Sequence, residues 1–132
     1  SWNVLDIGCG YRANKYAKVL ADVQNFSDHY KDKKFVQIRE KILPFRDKEF
    51  DLIITVTTFH NLRLFELVNA LGEIERVARN GYLVVESYRQ ESELFNLQCW
   101  ALTCESFFDD KEWEWLFKKF GYTGDYEFIY FN

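Results

Sequence analysis

Two apolar runs separated by one amphipathic segment constrain this chain more than any other feature. Phe50-Asp51-Leu52-Ile53-Ile54-Thr55-Val56 is β-branched and almost continuously apolar, the pattern of a central strand covered on both faces. Across residues 64–78, Leu64, Leu67, Val68, Leu71, Ile74 and Val77 recur at helical spacing, which places them along one apolar stripe. Asn80-Gly81 reads as the stop of that helix, and residues 82–87 follow as another apolar strand. Strand, helix and strand in that order imply a parallel pair joined by a right-handed crossover. The fold class is α/β.

The remaining segments fit the same alternation. Residues 2–7 read as a first strand that Gly8-Cys9-Gly10 ends abruptly. Residues 18–23 admit two readings: a second strand ending near Asp22, or part of a helix, because Tyr16, Val19, Leu20, Val23 and Phe26 also lie at helical spacing. Residues 35–38 form a short strand, and the turn at 43–47 leads into the central run. Residues 94–104 are expected to be helical. Asp109-Asp110 then caps a helix running to Phe120, Gly121 ends it, and residues 126–131 alternate as a last strand.

Composition narrows the function. A chain of 132 residues with 48% apolar and 19% aromatic content has ample core for one domain spanning 1–132. Against 21 acidic side chains there are 17 basic ones, so the chain lacks the basic stripe that neutralises phosphates in nucleic-acid binders. Its densest basic run, Lys31-Asp32-Lys33-Lys34, is interrupted by an acid and reads as a solvated turn. Cys9, Cys99 and Cys104 form no CxxC pair and only two His are present, so no metal site is expected. Reduced thiols, no leader-like start and no run of about eighteen apolar residues fit a soluble cytoplasmic protein without a membrane partner. A small molecule is the expected partner.

Ligands of open α/β sheets bind beyond the carboxyl ends of the strands, which directs attention to Val4-Leu5-Asp6-Ile7-Gly8-Cys9-Gly10. Glycines at 8 and 10 let the backbone approach a ligand closely. An acid at position 6 of an apolar strand needs hydrogen-bond partners of its own.

This stretch resembles the first motif of class I S-adenosylmethionine-dependent methyltransferases, a strand running into D-x-G-x-G. Leu43-Pro44-Phe45-x-Asp47-x-x-Phe50-Asp51 and Ala70-Leu71-x-Glu73-Ile74-x-Arg76-Val77, followed by Tyr82-Leu83-Val84-Val85, resemble the subgroup akin to ubiquinone/menaquinone-biosynthesis methyltransferases. The resemblance implies a Rossmann-like sandwich with a mainly parallel sheet and an antiparallel C-terminal strand, compact and trimmed at the N-terminus. It implies S-adenosylmethionine as cofactor, in-line methyl transfer as reaction and a small-molecule methyl acceptor. Gly8, Cys9 and Gly10 would line the methionine and ribose part of the cofactor, Asp6 would anchor the loop, and Asp22 would accept the ribose hydroxyls. That role for Asp22 favours the strand reading of 18–23, at the cost of a first crossover, residues 11–17, shorter than a βαβ unit normally needs.

After the third strand this sequence has Ile38-Arg39 where the subgroup commonly has Gly-Asp; either Glu40 substitutes or Ile38 covers the adenine ring. Thr57, Thr58, Phe59 and His60 would face the methyl group and acceptor. His60 fits a general base by position and by ordinary pKa, with Glu86, Tyr88 and Glu105 as further polar candidates. Cys9 reads as a small loop residue, since nothing nearby in sequence activates it. Trp100, Phe107, Phe108, Trp113, Trp115 and Phe117 read as a substrate pocket or as core packing whose excess covers a homodimer surface.

Two other readings remain at this level. Gly8-x-Gly10-x-x-Ala13 satisfies the fingerprint of a nicotinamide-dependent oxidoreductase, although that motif opens a regular helix. The compressed crossover and the missing adenine acid also suit a methyltransferase-like module without catalysis.

Overall fold

The computed structural model describes residues 1–102 and 104–132. Among them the chain lays down β1 (Val4–Ile7), β2 (Val19–Asp22), β3 (Lys34–Gln37), β4 (Phe50–Val56), β5 (Ala78–Glu86) and β6 (Asp125–Ile129). Helix α1 (Leu64–Val77) joins β4 to β5, and α2 (Glu91–Trp100) and α3 (Asp110–Lys119) lie between β5 and β6. The strands form one sheet in the order β3-β2-β1-β4-β5-β6, and every neighbouring pair is parallel. The chain moves outward in one direction from β1 and in the other from β4. The strand order therefore reverses between β1 and β4, where such sheets open a crevice beyond their carboxyl ends. No helix is long and apolar enough to cross a membrane among the described residues.

The parallel β6 corrects the expectation of an antiparallel last strand. Two helices occupy the connection after Glu86, enough chain to return to the starting end of the sheet, so β6 enters beside β5 in the same direction. A second correction concerns Asn80-Gly81. Helix α1 passes directly into β5 at Ala78, whose amide still donates to Ile74 O, and both residues lie within the strand. Gly81 serves close packing instead: a Cβ there would stand 2.7 Å from the Tyr122 hydroxyl. The expected helix over 94–104 begins earlier, at Glu91, and ends at Trp100; its position 103 lies outside the described residues.

The main core fills one face of the sheet. Leu5, Ile53 and Leu83 from the strands meet Leu67 and Leu71 of α1 and Trp113, Leu116 and Phe117 of α3. The Trp113 indole is buried, and its Nε1 donates to Glu86 O at 3.0 Å. Helix α3 starts at a reciprocal cap: Asp109 Oδ1 accepts from Glu112 N and Glu112 Oε1 accepts from Asp109 N. Trp100 and Trp115, by contrast, are exposed.

The opposite face is covered unevenly. Val4 and Leu20 pack with Tyr30 and Phe35, but Val56 is 46% exposed, so β4 is not sealed on both sides as its composition suggested. The cause lies in the connections, since no helix follows β1, β2 or β3.

The short first crossover is a loop. Lys33 reaches back into it, and its ammonium donates to the carbonyls of Lys15 at 3.0 Å and Ala17 at 2.7 Å. A helix would have satisfied such carbonyls internally; here a lysine from the β2–β3 connection does so. The basic run at 31–34 is therefore not simply a solvated turn.

The sequence 43–47 is fastened to α1 by two side chains of that helix. Glu73 Oε1 accepts from Leu43 N at 2.7 Å, and Arg76 donates to Leu43 O, Phe45 O and Asp47 Oδ1. The hydrogen bonds from Arg76 hold the Glu73 carboxyl below its ordinary pKa. The Leu-Pro-Phe-x-Asp and Glu-x-x-Arg stretches are thus two halves of one clamp, which sets the entry of β4 relative to α1.

Candidate functional site

A cleft of about 1400 Å³ opens beyond the carboxyl ends of β1, β2 and β4. Its first wall is the turn after β1. Gly8 (φ +75°) and Gly10 (φ +53°) adopt left-handed backbone, which side chains resist. The amides of Gly8 and Cys9 both donate to Ala21 O, tying the turn to β2. A Cβ on Gly8 would stand 2.3 Å from Thr58 Oγ1, whereas one on Gly10 would meet nothing within 4 Å.

Side chains hold the rest of the turn. Asp6 Oδ2 accepts from Asn14 N at 2.7 Å, and Asp22 Oδ2 accepts from Gly10 N at 3.0 Å. The Tyr30 hydroxyl donates to Gly10 O and accepts from Ala13 N. Beyond β3, Ile38 donates its amide to Asp22 O and packs against the main core. Thr57 at the end of β4 has φ +52°, a strained conformation for a β-branched residue, and its amide donates to Val84 O.

Asp6, Gly8, Cys9, Gly10, Asp22, Ile38, Arg39, Glu40 and Thr57 all line this one cleft. His60 does not. It occupies the single-turn 3-10 helix Phe59–Asn61, whose Phe59 and Asn61 face the cleft. The imidazole turns away to contact the Glu86 carboxylate at the end of β5 through Nδ1 and Oε2. Of the other polar candidates, Glu105 donates its amide to His60 O, and Tyr88 is half-buried away from the cleft lining. Asn14, Phe26 and Phe65 line the cleft without having been singled out. Tyr30 and Lys33, which fasten the loop, lie in a segment with no periodicity to mark them.

Burial is the main reason that the Asp6 carboxyl sits above its ordinary pKa of 3.8, reinforced by Asp22 and opposed by the amide of Asn14 and the charge of Lys33. A carboxyl raised on folding favours the folded state while protonated and withdraws that contribution as pH rises through its folded pKa. The ligand-free protein should therefore lose stability, relative to an Asp6→Asn variant, from about pH 4 upward. Urea denaturation of both proteins across that range checks the sign: a wild type that gains on the variant with rising pH would contradict it.

Cys9 is buried, and its thiol is pushed up to about 12 by burial and by Asp22 and Asp6. Cys99 is exposed. Ellman's reagent at pH 8 is expected to label Cys99 rapidly and to leave Cys9 unmodified until the protein unfolds. Rapid labelling of Cys9 in the native state would refute this.

The helix-free turn bears on the dinucleotide fingerprint. Nicotinamide-binding sheets present a helix N-terminus to the pyrophosphate after the second glycine, and no helix follows Gly10 here. Among the described residues no group of three or more His, Cys, Asp or Glu is placed to hold a metal ion.

The methyltransferase-domain family model matches residues 5–85, more than half of the chain and the part that builds this cleft. The chain belongs to the methyltransferase-domain family. Solved structures share its fold. The YcgJ protein of Bacillus subtilis is 21% identical with a TM-score of 0.69, over 91% of this chain and 61% of that one. The methyltransferase in a complex with the Trm112 methyltransferase activator from Haloferax volcanii is 19% identical with a TM-score of 0.71, over 91% and 61%. An S-adenosylmethionine-dependent methyltransferase from Thermotoga maritima is 21% identical with a TM-score of 0.70, over 92% and 64%. The chain thus spans about three-fifths of the length of these structures. No curated protein sequence matches it significantly.

Proposed function

We propose that this chain is the catalytic core of an S-adenosylmethionine-dependent methyltransferase acting on a small-molecule acceptor. The observation that carries the reading is the cleft, in which a left-handed glycine turn, two strand-end carboxylates and an apolar third-strand exit converge. The donor set fits the cofactor. Each Asp22 oxygen accepts one backbone amide, from Gly10 and Gln24, and keeps acceptor capacity for a ribose diol. Ile38 and Val23 offer apolar surface to adenine, and the open space beside Gly10 admits the methionine portion without a Cβ in the way. Glu40, exposed and lining the cleft two residues after Ile38, offers a carboxylate acceptor for the adenine amino group.

When bound, the cofactor supplies an electrophilic methyl group that needs alignment more than activation. In this reading the chain's residues do the aligning. Asp6 holds the loop through Asn14, Gly8 and Gly10 let the backbone close on the ligand, and Thr57 borders the cleft at the end of β4. The balance of 21 acids to 17 bases supports a small-molecule acceptor over nucleic acid. The paired Leu43–Asp47 and Glu73–Arg76 clamp supports a place near the ubiquinone/menaquinone-biosynthesis subgroup.

Calorimetric titration with S-adenosylmethionine and S-adenosylhomocysteine, with NAD as control, tests the reading. Micromolar binding of the two adenosyl ligands and none of NAD is expected. A folded protein that binds none of the three would sink it.

A further inference from the structure

The face of the sheet away from α1 and α3 has the shape of a step. On its β1–β2 half, Val4 and Leu20 are covered by Ala13 and Ala17 of the first crossover and by Tyr30. On the other half, Leu52, Ile54 and Val56 of β4 stand beside Asn80, Tyr82 and Val84 of β5. A groove of about 450 Å³ opens there, bounded by Trp2 and Asn14 on one side and by Tyr82 and Asp125 on the other. Among the described residues, none from the three helices lines it. Trp2 is 57% exposed and Tyr82 37%. Sheets whose strands are all parallel bury both faces, because their strands are apolar on both. Half of this face lacks its cover.

The bare surface has the extent and the charge of an interface. The chain exposes 8298 Å², where a compact monomer of 15.9 kDa exposes about 7,400 Å². That surplus of about 900 Å² matches the roughly 800 Å² that each partner of a standard complex buries. The two margins of the groove carry opposite charge. Lys15 follows Asn14, and Lys18 Nζ donates to Ser1 Oγ beside Trp2. Across the groove, Asp125 lines the wall and Glu127 accepts from the Tyr82 hydroxyl. All four charged residues are exposed, and among the described residues none of them forms an ion pair.

We propose that a second copy of this chain covers this face, related by a two-fold axis running parallel to the strands above β4. That axis sets the raised half of one protomer on the bare half of its partner. It also sets Lys15 and Lys18 of one protomer opposite the partner's Asp125 and Glu127, twice over, as an isologous contact requires. A two-fold axis across the strands would set acid against acid, which costs affinity. The β4 rows of the two protomers then pack as aligned sheets do, and both sheets point their carboxyl ends the same way. Val56 and Asn14 line the cofactor cleft as well as the groove, so the partner walls each cleft along its open side. Cofactor affinity then depends on assembly, a consequence that rests on the methyltransferase reading above.

Sedimentation equilibrium of the ligand-free chain tests the interface. A dimer at micromolar concentration is expected; a monomer would overturn the proposal and leave the face to a different protein. Asp125→Lys/Glu127→Lys should weaken the dimer by about 10-fold or more, and adding Lys15→Glu/Lys18→Glu should restore it. A dimer indifferent to the first pair of changes, or not restored by the second in a folded protein, would overturn the two-fold arrangement. If the variants do not fold, zero-length carbodiimide cross-linking of exchanged, isotopically light and heavy wild-type chains still decides. Lys15 or Lys18 joined to Asp125 or Glu127 between a light and a heavy chain supports the interface, and the absence of such mixed links refutes it. S-adenosylhomocysteine should bind the dissociated variant several-fold more weakly than the wild type, and equal affinity would refute the shared cleft wall. A wild-type dimer that binds none of this ligand supports the interface and counts against the cofactor reading alone.

Discussion

Replacing Gly8 with alanine is expected to destabilise the protein by about 2–5 kcal/mol and to abolish measurable S-adenosylhomocysteine binding. Two independent effects add at this position. The left-handed backbone at φ +75° costs an L-residue about 1–2 kcal/mol. A Cβ there would also fall 2.3 Å from Thr58 Oγ1 and 2.7 Å from its Cγ2, an overlap relieved only by moving the turn or the end of β4, at about 1–3 kcal/mol. Gly10 separates the two effects: its φ is +53°, but a Cβ would enter open space, so Gly10→Ala should show only the backbone cost of about 1–2 kcal/mol. The steric part can be isolated by a double-mutant cycle. Thr58→Ala removes both overlapping atoms, so Gly8→Ala/Thr58→Ala should recover about 1–3 kcal/mol relative to the sum of the single changes. Urea denaturation of the four proteins measures this coupling. A coupling near zero would mean that Thr58 does not set the limit on the first glycine.

What the sequence made legible follows from which contacts are periodic. Helix α1 and strand β4 announce themselves because Leu67, Leu71, Ile74 and Ile53 face one core at regular intervals. Asp22 was assigned to the end of a strand although its neighbours were equally compatible with a helix, and β2 ends there. The errors have a different origin. Asn80-Gly81 resembles a helix stop in composition, but Gly81 is small because the Tyr122 ring lies against it from more than forty residues away. The direction of β6 depended on how far two intervening helices carry the chain, which alternation within the strand does not encode.

The candidate site was legible to a similar degree. The positions expected to hold the cofactor are concentrated in strand ends and glycines, which carry local signals, and they meet in one cleft. Tyr30 and Lys33 were invisible because a loop-to-loop clamp has no period and a lysine beside other charges resembles a solvated one. The place of His60 just past β4 is legible in the sequence, but its orientation is not. Only the fold brings Glu86 within reach of the imidazole, and a side chain expected to face the acceptor turns to that carboxylate instead.

Asp22 provides the largest expected effect on binding that leaves the fold intact. Its carboxylate holds Gly10 N at 3.0 Å and Gln24 N at 3.1 Å and, in the proposed complex, also accepts two ribose hydroxyls. Hydrogen bonds to an ionised group contribute about 1.5–3 kcal/mol each. Asp22→Ala should therefore weaken S-adenosylhomocysteine binding by at least about 100-fold, most of it from the diol. Loss of the loop anchor alone would also weaken binding, and Asp22→Asn distinguishes the two. The amide oxygen of asparagine can still accept from Gly10 N, while the exposed Gln24 N turns to water, so the loop should stay in place and the melting temperature should stay close to that of the wild type. The same amide offers only one acceptor oxygen and no charge to the diol, so affinity should still fall by about 10-fold. If Asp22→Asn binds like the wild type while Asp22→Ala does not, Asp22 acts through the glycine turn and the ribose is held by other groups. If both bind like the wild type, the adenosyl moiety does not occupy the end of β2 at all.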